Sequence, residues 1–197
     1  MMKKFMNILI SCAIVTLIAG CASSPTRFYT LSPTAAPAVM PKAKYSVSVG
    51  PVSVPAVVDR PQIVIRSGPN KVSIDEFDRW ASPLKDNIAR VIVENLVSML
   101  GTAQVTLFPQ STAAGMSYRI MLDVLRFDSE PGQAATLDAL WTVSSAKSGK
   151  SHRSRTILTE TTQGGDYAAL VAAHSRALGQ LSTEIAGIIR EMEAQKP

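Results

Sequence analysis

From Tyr45 onward the apolar residues recur in two rhythms, which divide the chain into strands and helices. Tyr45, Val47 and Val49 alternate with Ser46 and Ser48, the period of a strand, and Pro51 and Pro55 place its second half at a sheet edge. Residues 62–66 and 71–74 flank Ser67-Gly68-Pro69-Asn70, a turn cluster, and predict a hairpin. A short strand over 104–108 stops at Pro109, and 110–116 is a small-residue loop. Alternation then returns: Tyr118, Ile120, Leu122 and Val124 share one face, opposite Arg119, Met121, Asp123 and Leu125. Ala135, Leu137, Ala139, Trp141 and Val143 share a face in the next run, which leads back through Arg153, Arg155, Ile157 and Thr159. Glu130-Pro131-Gly132 and Lys147-Ser148-Gly149-Lys150 are the intervening turns, so this part reads as an antiparallel meander.

Spacings of three and four mark two helices. Leu84, Ile88, Val91, Ile92, Leu96 and Met99 form a stripe over 83–100, with Ser82 as the expected N-cap, Pro83 at the first helical position and Gly101 as the stop. Tyr167, Val171, His174, Leu178, Leu181, Ile185, Ile188 and Met192 form a longer seam from about Asp166 to Glu193. Alanines beside this seam allow close approach to a neighbour, so the helix is also a candidate for subunit packing. The expected fold is α+β, a mixed or antiparallel sheet of about six strands with the two amphipathic helices packed on it. Periodicity does not set the strand order.

Upstream the pattern is different. Lys3 and Lys4 precede an apolar run from Phe5 to Ala19, broken only by Asn7, Ser11 and Thr16, and Ile18-Ala19-Gly20-Cys21 closes it. The run is shorter than the roughly 20 residues of a spanning helix and has the layout of a secretory signal peptide over 1–20. Small residues ending in cysteine resemble a bacterial lipoprotein signal, which implies cleavage before Cys21 and its lipidation. In enterobacterial-type sorting, Ala22 in place of aspartate implies transfer to the outer membrane. Pro25, Pro33, Pro37 and Pro41 then make 21–44 a Pro/Ala-rich tether ahead of one domain over 45–197. Within the tether, Arg27-Phe28-Tyr29-Thr30-Leu31 reads either as an edge strand packed on the domain or as a membrane or partner contact.

Removing 1–20 from 197 residues leaves 177, enough for one domain with a real core. Of the two cysteines, Cys12 departs with the signal and Cys21 is acylated, so the exported domain has no disulfide. Loss of Lys3 and Lys4 lowers the formal charge from +5 to +3, too mild to argue for nucleic acid. No His-x-x-x-His, paired-cysteine or strand-borne nucleophile motif accompanies His152 and His174, and His174 reads as a core or interface histidine. Gly164-Gly165-Asp166 lacks the lysine and spacing of a phosphate loop and reads as a loop and helix cap. The concentrated basic run is Lys147, Lys150, His152, Arg153 and Arg155. It is either a solvated hairpin tip or a contact for anionic headgroups or an acidic partner.

The order of lipid-attachment cysteine, Arg27-Phe28-Tyr29-Thr30-Leu31, Trp80-Ala81-Ser82-Pro83-Leu84, meander, and Gly165-Asp166-Tyr167 before a long helix resembles the ABC-type transport auxiliary lipoprotein family. The resemblance implies a non-enzymatic outer-membrane lipoprotein, on the periplasmic face, working with an MCE-domain protein and inner-membrane transport proteins to move lipids or other hydrophobic molecules between membranes. It also implies a homo-oligomer, since such partners are rings and tubes, and no cofactor beyond the diacylglycerol and N-acyl chain at Cys21. Trp80, Ser82, Pro83 and Leu84 match the family motif as structural or interface residues, and no catalytic or metal-binding residue carries over. A pilot lipoprotein that docks another envelope complex is the alternative.

Two substitutions test the amino-terminal reading. Cys21→Ala is expected to abolish incorporation of labelled fatty acid, and Ala22→Asp to hold the protein at the inner membrane on fractionation. Label retained by the Cys21→Ala protein would refute lipidation there.

Overall fold

In the computed structural model, the described residues are 25–36, 45–109 and 115–195. The expected signal peptide, Cys21 and Ala22, part of the tether and most of the 110–116 loop lie outside them.

Among the described residues, eight strands form two mixed sheets in place of the single sheet of about six. The larger sheet contains β2 (Val47–Ser53), β5 (Val105–Leu107), β6 (Tyr118–Glu130), β7 (Ala134–Ser145) and β8 (Ser151–Thr161), in the order β5-β2-β6-β7-β8. Strand β2 runs parallel to both β5 and β6, whereas β6, β7 and β8 form the expected antiparallel meander. The smaller sheet has β4 (Lys71–Trp80) between its hairpin partner β3 (Gln62–Gly68) and β1 (Arg27–Tyr29), which lies parallel to β4.

A bulge separates the hairpin's tip from its base. Gln62 pairs with Arg79 but Val64 with Ile74, so β4 spends five residues where β3 spends two. Asp75 holds the excess chain by accepting the backbone N–H groups of Phe77 and Asp78 at 2.9 and 3.3 Å. Alternation in a strand assigns faces but not partners, which is why periodicity merged the two sheets.

The two helices of the described residues, α1 (Leu84–Leu100) and α2 (Tyr167–Ala194), pack on the same side of the five-stranded sheet. The first lies on β2 and β5, the second on β7 and β8, and the helices touch each other. The core joins Val47, Val49, Ile120, Leu122, Leu137 and Val143 of the sheet to Ile88, Ile92, Leu96, Leu178, Leu181 and Ile185 of the helices. Each such side chain contributes about 1.5–3 kcal/mol when fully buried. Ala173, Ala177 and Ala186 are fully buried inside the protomer. These three alanines of the α2 flank are therefore used for internal packing, whereas Ala168 and Ala172 stay exposed.

Strand β6 reverses its alternation once. Val124 pairs with Ala139 and Arg126 with Asp138, leaving Leu125 without an opposite residue. Leu125 and Arg126 consequently both face solvent, while Phe127 and Ser129 turn to the core. At the adjoining turn, Gly132 takes a φ of 73° and Gln133 N–H donates to the Glu130 carbonyl at 3.0 Å, as a type II turn requires.

The expected cap of α1 is revised. Pro83 occupies the N-cap position with φ −49° and ψ 132°, without a side-chain cap bond, and the helix starts at Leu84. The proline ring fixes φ near this value and biases the preceding residue toward extended backbone, so Ser82 lies one position outside the helix. At the other end Gly101 adopts the left-handed conformation and its N–H donates to the Val97 carbonyl. In α2 the expected cap is present, with Asp166 accepting the Ala169 N–H at 2.7 Å.

Residues 25–36, expected in the tether, lie on the domain, and 27–29 form the edge strand that is one of the two expected roles of this segment. Leu31 is fully buried. Ser175 accepts the Ser32 N–H at 3.1 Å, and Asn95 accepts the N–H groups of Thr34 and Ala35 at 3.0 and 3.1 Å. A Cβ on Gly179 would collide with Thr34, so glycine at this point of α2 lets the segment cross close to the helix.

These contacts separate two neighbouring residues. Trp80→Ala is expected to cost about 3–5 kcal/mol, because the indole is buried. Ser82→Ala is expected to change stability by no more than about 0.5 kcal/mol, because the exposed hydroxyl caps nothing. Denaturant titration of both variants checks the contrast.

Candidate functional site

Three groups of residues carry the unusual chemistry of the domain. The first centres on Asp78, whose carboxylate is fully enclosed where β1 meets β4. Arg27 donates to it through both arms of its guanidinium, at 2.7 and 2.6 Å, and Tyr29 donates its hydroxyl at 2.8 Å. The hydrogen bonds and charge of Arg27 outweigh desolvation and hold the carboxyl below the ordinary carboxylate range. Tyr29 lies 5.9 Å from the Tyr167 ring, and the Tyr167 hydroxyl donates to Asp75 at 3.1 Å. This joins the bulge of β4, the amino-terminal strand and the start of α2.

The second group surrounds His174 in the centre of the core. Its ring stacks on Phe127 at 3.8 Å, and Nε2 shares a 2.8 Å hydrogen bond with the Ser129 hydroxyl. Burial pushes its pKa down to about 3, so the imidazole is neutral at physiological pH. The residue sits on the apolar seam as a core histidine, and its two ring contacts depend on the β6 bulge.

The third group is the basic run, which the structure divides. Lys147 and Lys150 lie at the β7–β8 hairpin tip, whereas Arg153 and Arg155 project from β8 onto the sheet face opposite the helices. Arg155 forms a two-pronged pair with the buried Asp138 at 2.9 and 2.7 Å, which lowers the Asp138 pKa. Arg153 donates from Nε to the Thr142 hydroxyl at 3.5 Å and has no ion-pair partner among the described residues. Around them the same face exposes Met121, Leu125 and Ile157. Pro51, Met121, Leu140, Thr142 and Arg153 border a shallow depression of about 300 Å³. Asp123 lines the same depression and Arg126 is paired with Asp128 at 2.6 Å, so the exposed apolar groups stand among charges of both signs, which can select a partner while the apolar groups bury against it.

The remaining predicted residues divide between core and surface. Trp80 and Leu84 are buried, with the Trp80 ring edge-on to Phe127 at 6.2 Å. Ser82 and Pro83 are exposed and, with Asp59, Arg60 and Pro61, border an open depression of about 440 Å³. Sequence reading missed Asp78, Asp138, Asn87 and Asn95, all buried polar residues. Their only signal is a polar residue within a regular apolar element, and their partners are distant in sequence. Among the described residues, no group of three or more His, Cys, Asp or Glu side chains is placed to hold a metal ion. No helix among them is long and apolar enough to cross a membrane.

The architecture is an α+β domain with one sheet face under paired helices, the other open, and a small second sheet carrying the amino-terminal strand. The family model for the ABC-type transport auxiliary lipoprotein component matches residues 29–186. The chain belongs to this family, and its resemblance is to the paraquat-inducible protein C type. A crystal structure of an uncharacterized protein matches with a TM-score of 0.70 at 20% identity, over 84% of this chain and 99% of that one. Protein XCC0632 from Xanthomonas campestris, of family DUF330, matches with a TM-score of 0.69 at 23% identity, over 86% and 100%. A PelC dodecamer from Paraburkholderia phytofirmans matches with a TM-score of 0.39 at 11% identity, over 77% and 97%. No curated protein sequence is significantly similar.

The buried groups set a pH dependence of stability. For both Asp78 and His174 the folded pKa lies below the unfolded value, so the contribution is present at neutral pH and lost on acidification. His174 acts first, as pH falls from about 6.5 toward its folded value of about 3, and Asp78 acts below about pH 4. Thermal melts from pH 7 to pH 3 should show falling Tm. His174→Gln should flatten the upper part of the fall, and Arg27→Met should lower Tm at pH 7 by stranding the Asp78 carboxylate.

Proposed function

We propose that this protein is a lipid-anchored accessory at the periplasmic face of the outer membrane, serving an MCE-domain and ABC-type system that moves lipids or other hydrophobic molecules between membranes. It acts by contact and not by catalysis. Family membership across almost the entire folded domain carries the reading, because an auxiliary transport component works through its partners. The open sheet face supports it: Met121, Leu125 and Ile157 stand among Arg119, Arg126 and Arg153, outside the cover of either helix. The best-defined buried charges are committed to structure, with Asp78 held by Arg27 and Asp138 by Arg155.

Homo-oligomerisation belongs to the same proposal. Strand β8 ends the sheet, and its eleven residues pair with β7 without a register break. Its other edge provides a regular ladder for a second copy, next to the apolar residues of the open face.

Photocrosslinkers at Met121, Arg153 and Ile157 in the full chain, expressed in cells, test the partner. Recovery of an MCE-domain protein from at least one position is expected. Recovery only of unrelated envelope proteins from all positions would favour the pilot-lipoprotein alternative. Light scattering of the purified protein is expected to give a mass several times that of the protomer.

A further inference from the structure

The hairpin tip that carries Lys147 and Lys150 also borders a hollow of about 250 Å³, between the start of β6, the end of β7 and the last turns of α2. Tyr118 and Met192 supply apolar carbon, Ser145 and Ser148 supply hydroxyls, and the two lysines stand on the rim. The surrounding loop is well braced. Gly149 N–H donates to the Ser145 carbonyl, Ser145 N–H to the Lys150 carbonyl, and Lys150 N–H to the Ser148 hydroxyl, at 3.0, 2.9 and 3.3 Å. Gly149 takes the positive φ of 68° that closes the turn.

The hollow is therefore apolar inside and cationic at its mouth. Tyr118 is almost fully buried, lies edge-on to Tyr45 at 5.5 Å, and donates its hydroxyl to Glu193 at 2.5 Å. That bond turns the neighbouring carboxylate to the phenol. Neither Lys147 nor Lys150 has an ion-pair partner among the described residues. An occupant needs an anionic head for the lysines and a short apolar stretch for Tyr118 and Met192. The volume lies below the roughly 300–1,000 Å³ of a site that encloses a drug-sized molecule, so the hollow holds one end of a longer ligand.

We infer that this hollow binds the head end of an anionic amphiphile, its phosphate or carboxylate between Lys147 and Lys150 and its first methylenes against Tyr118 and Met192. This deepens the transport reading and rests on it for the ligand's biological source. The lysines, in place of a loose electrostatic patch, form the mouth of a site for the head end of a transported or membrane lipid.

Calorimetry on the purified full chain carrying Cys21→Ala, which has no acyl chain of its own at that position, tests the assignment with decyl phosphate below its micelle concentration. Saturable one-to-one binding is expected. Lys147→Ala with Lys150→Ala should weaken it at least about tenfold, the scale of one lost charge-assisted hydrogen bond, and Met192→Trp should weaken it by filling the hollow. Thermal melts keep these losses distinct from unfolding, and the exposed lysine pair provides a variant with an intact core. Inorganic phosphate binding as tightly as decyl phosphate would assign a free-anion site and overturn the amphiphile. Decanol binding as tightly would remove the role of the lysines and also overturn it. Unchanged decyl phosphate affinity in both variants would place binding elsewhere. Recovery of an MCE-domain protein by the crosslinkers alongside absent decyl phosphate binding would defeat this inference and leave the transport reading standing; the reverse pair of results would do the opposite.

Discussion

The domain is organised around a carboxylate that water does not reach. Asp78 has no exposed side-chain surface, and burying such a charge is strongly unfavourable unless it is neutralised and hydrogen-bonded. Arg27 and Tyr29 meet that demand together, which places β1 beside β4 in a parallel register. Once β1 is seated, the chain continues over the helix pair. Leu31 enters the core, Ser175 receives one backbone N–H and Asn95 receives two. Asn95 is itself fully buried and donates to Ser182 at 3.2 Å, so the same contacts tie α1 to α2. The segment nearest the expected lipid anchor is thus also the strap across the helices.

Energetic scale separates what holds the domain from what it presents. Each buried Leu, Ile or Val adds about 1.5–3 kcal/mol, and thirty buried residues among those described form one continuous cluster. An exposed ion pair such as Arg90–Glu94, at 2.8 Å on α1, adds about 0–1 kcal/mol. Apart from Arg155, which neutralises the buried Asp138, the exposed charges of the open sheet face therefore contribute little to stability, and their arrangement is free to answer to binding. The alternating strands allow both roles at once, with Leu137, Ala139 and Trp141 toward the helices and Leu140 and Thr142 toward the depression on the opposite face.

Trp80-Ala81-Ser82-Pro83-Leu84 shows how a compact motif can serve both sides. Trp80 and Leu84 face the core, and the Trp80 N–H donates to the Pro61 carbonyl at 2.7 Å. Between them, Ala81, Ser82 and Pro83 cross the surface at the edge of a depression. The proline stops one element and starts the next: its carbonyl accepts the N–H groups of Asp86 and Asn87, both at 3.0 Å. A serine that looks like a cap in sequence is displaced by the stiffer backbone of its neighbour.

Local periodicity determined most of the elements. The 4-3-4 seam of α2, its Asp166 cap, the stripe of α1 with Gly101 at its end, and the turns at Gly132 and Gly149 are consequences of residues near one another in the chain. The sequence also determined the α+β class, through the order of these elements, and carried the family motifs. Tertiary structure decided what depends on distant partners. Two sheets replaced one because alternation assigns faces but not strand partners, and the Arg27–Asp78 contact spans 51 positions. The basic run separated because Lys147 and Lys150 lie in a turn against the end of α2, whereas Arg153 and Arg155 lie on a strand whose alternation sends them to the open face. Side-chain spacing is local, but burial, pairing and the shape of a hollow are set by chain segments that meet only after folding.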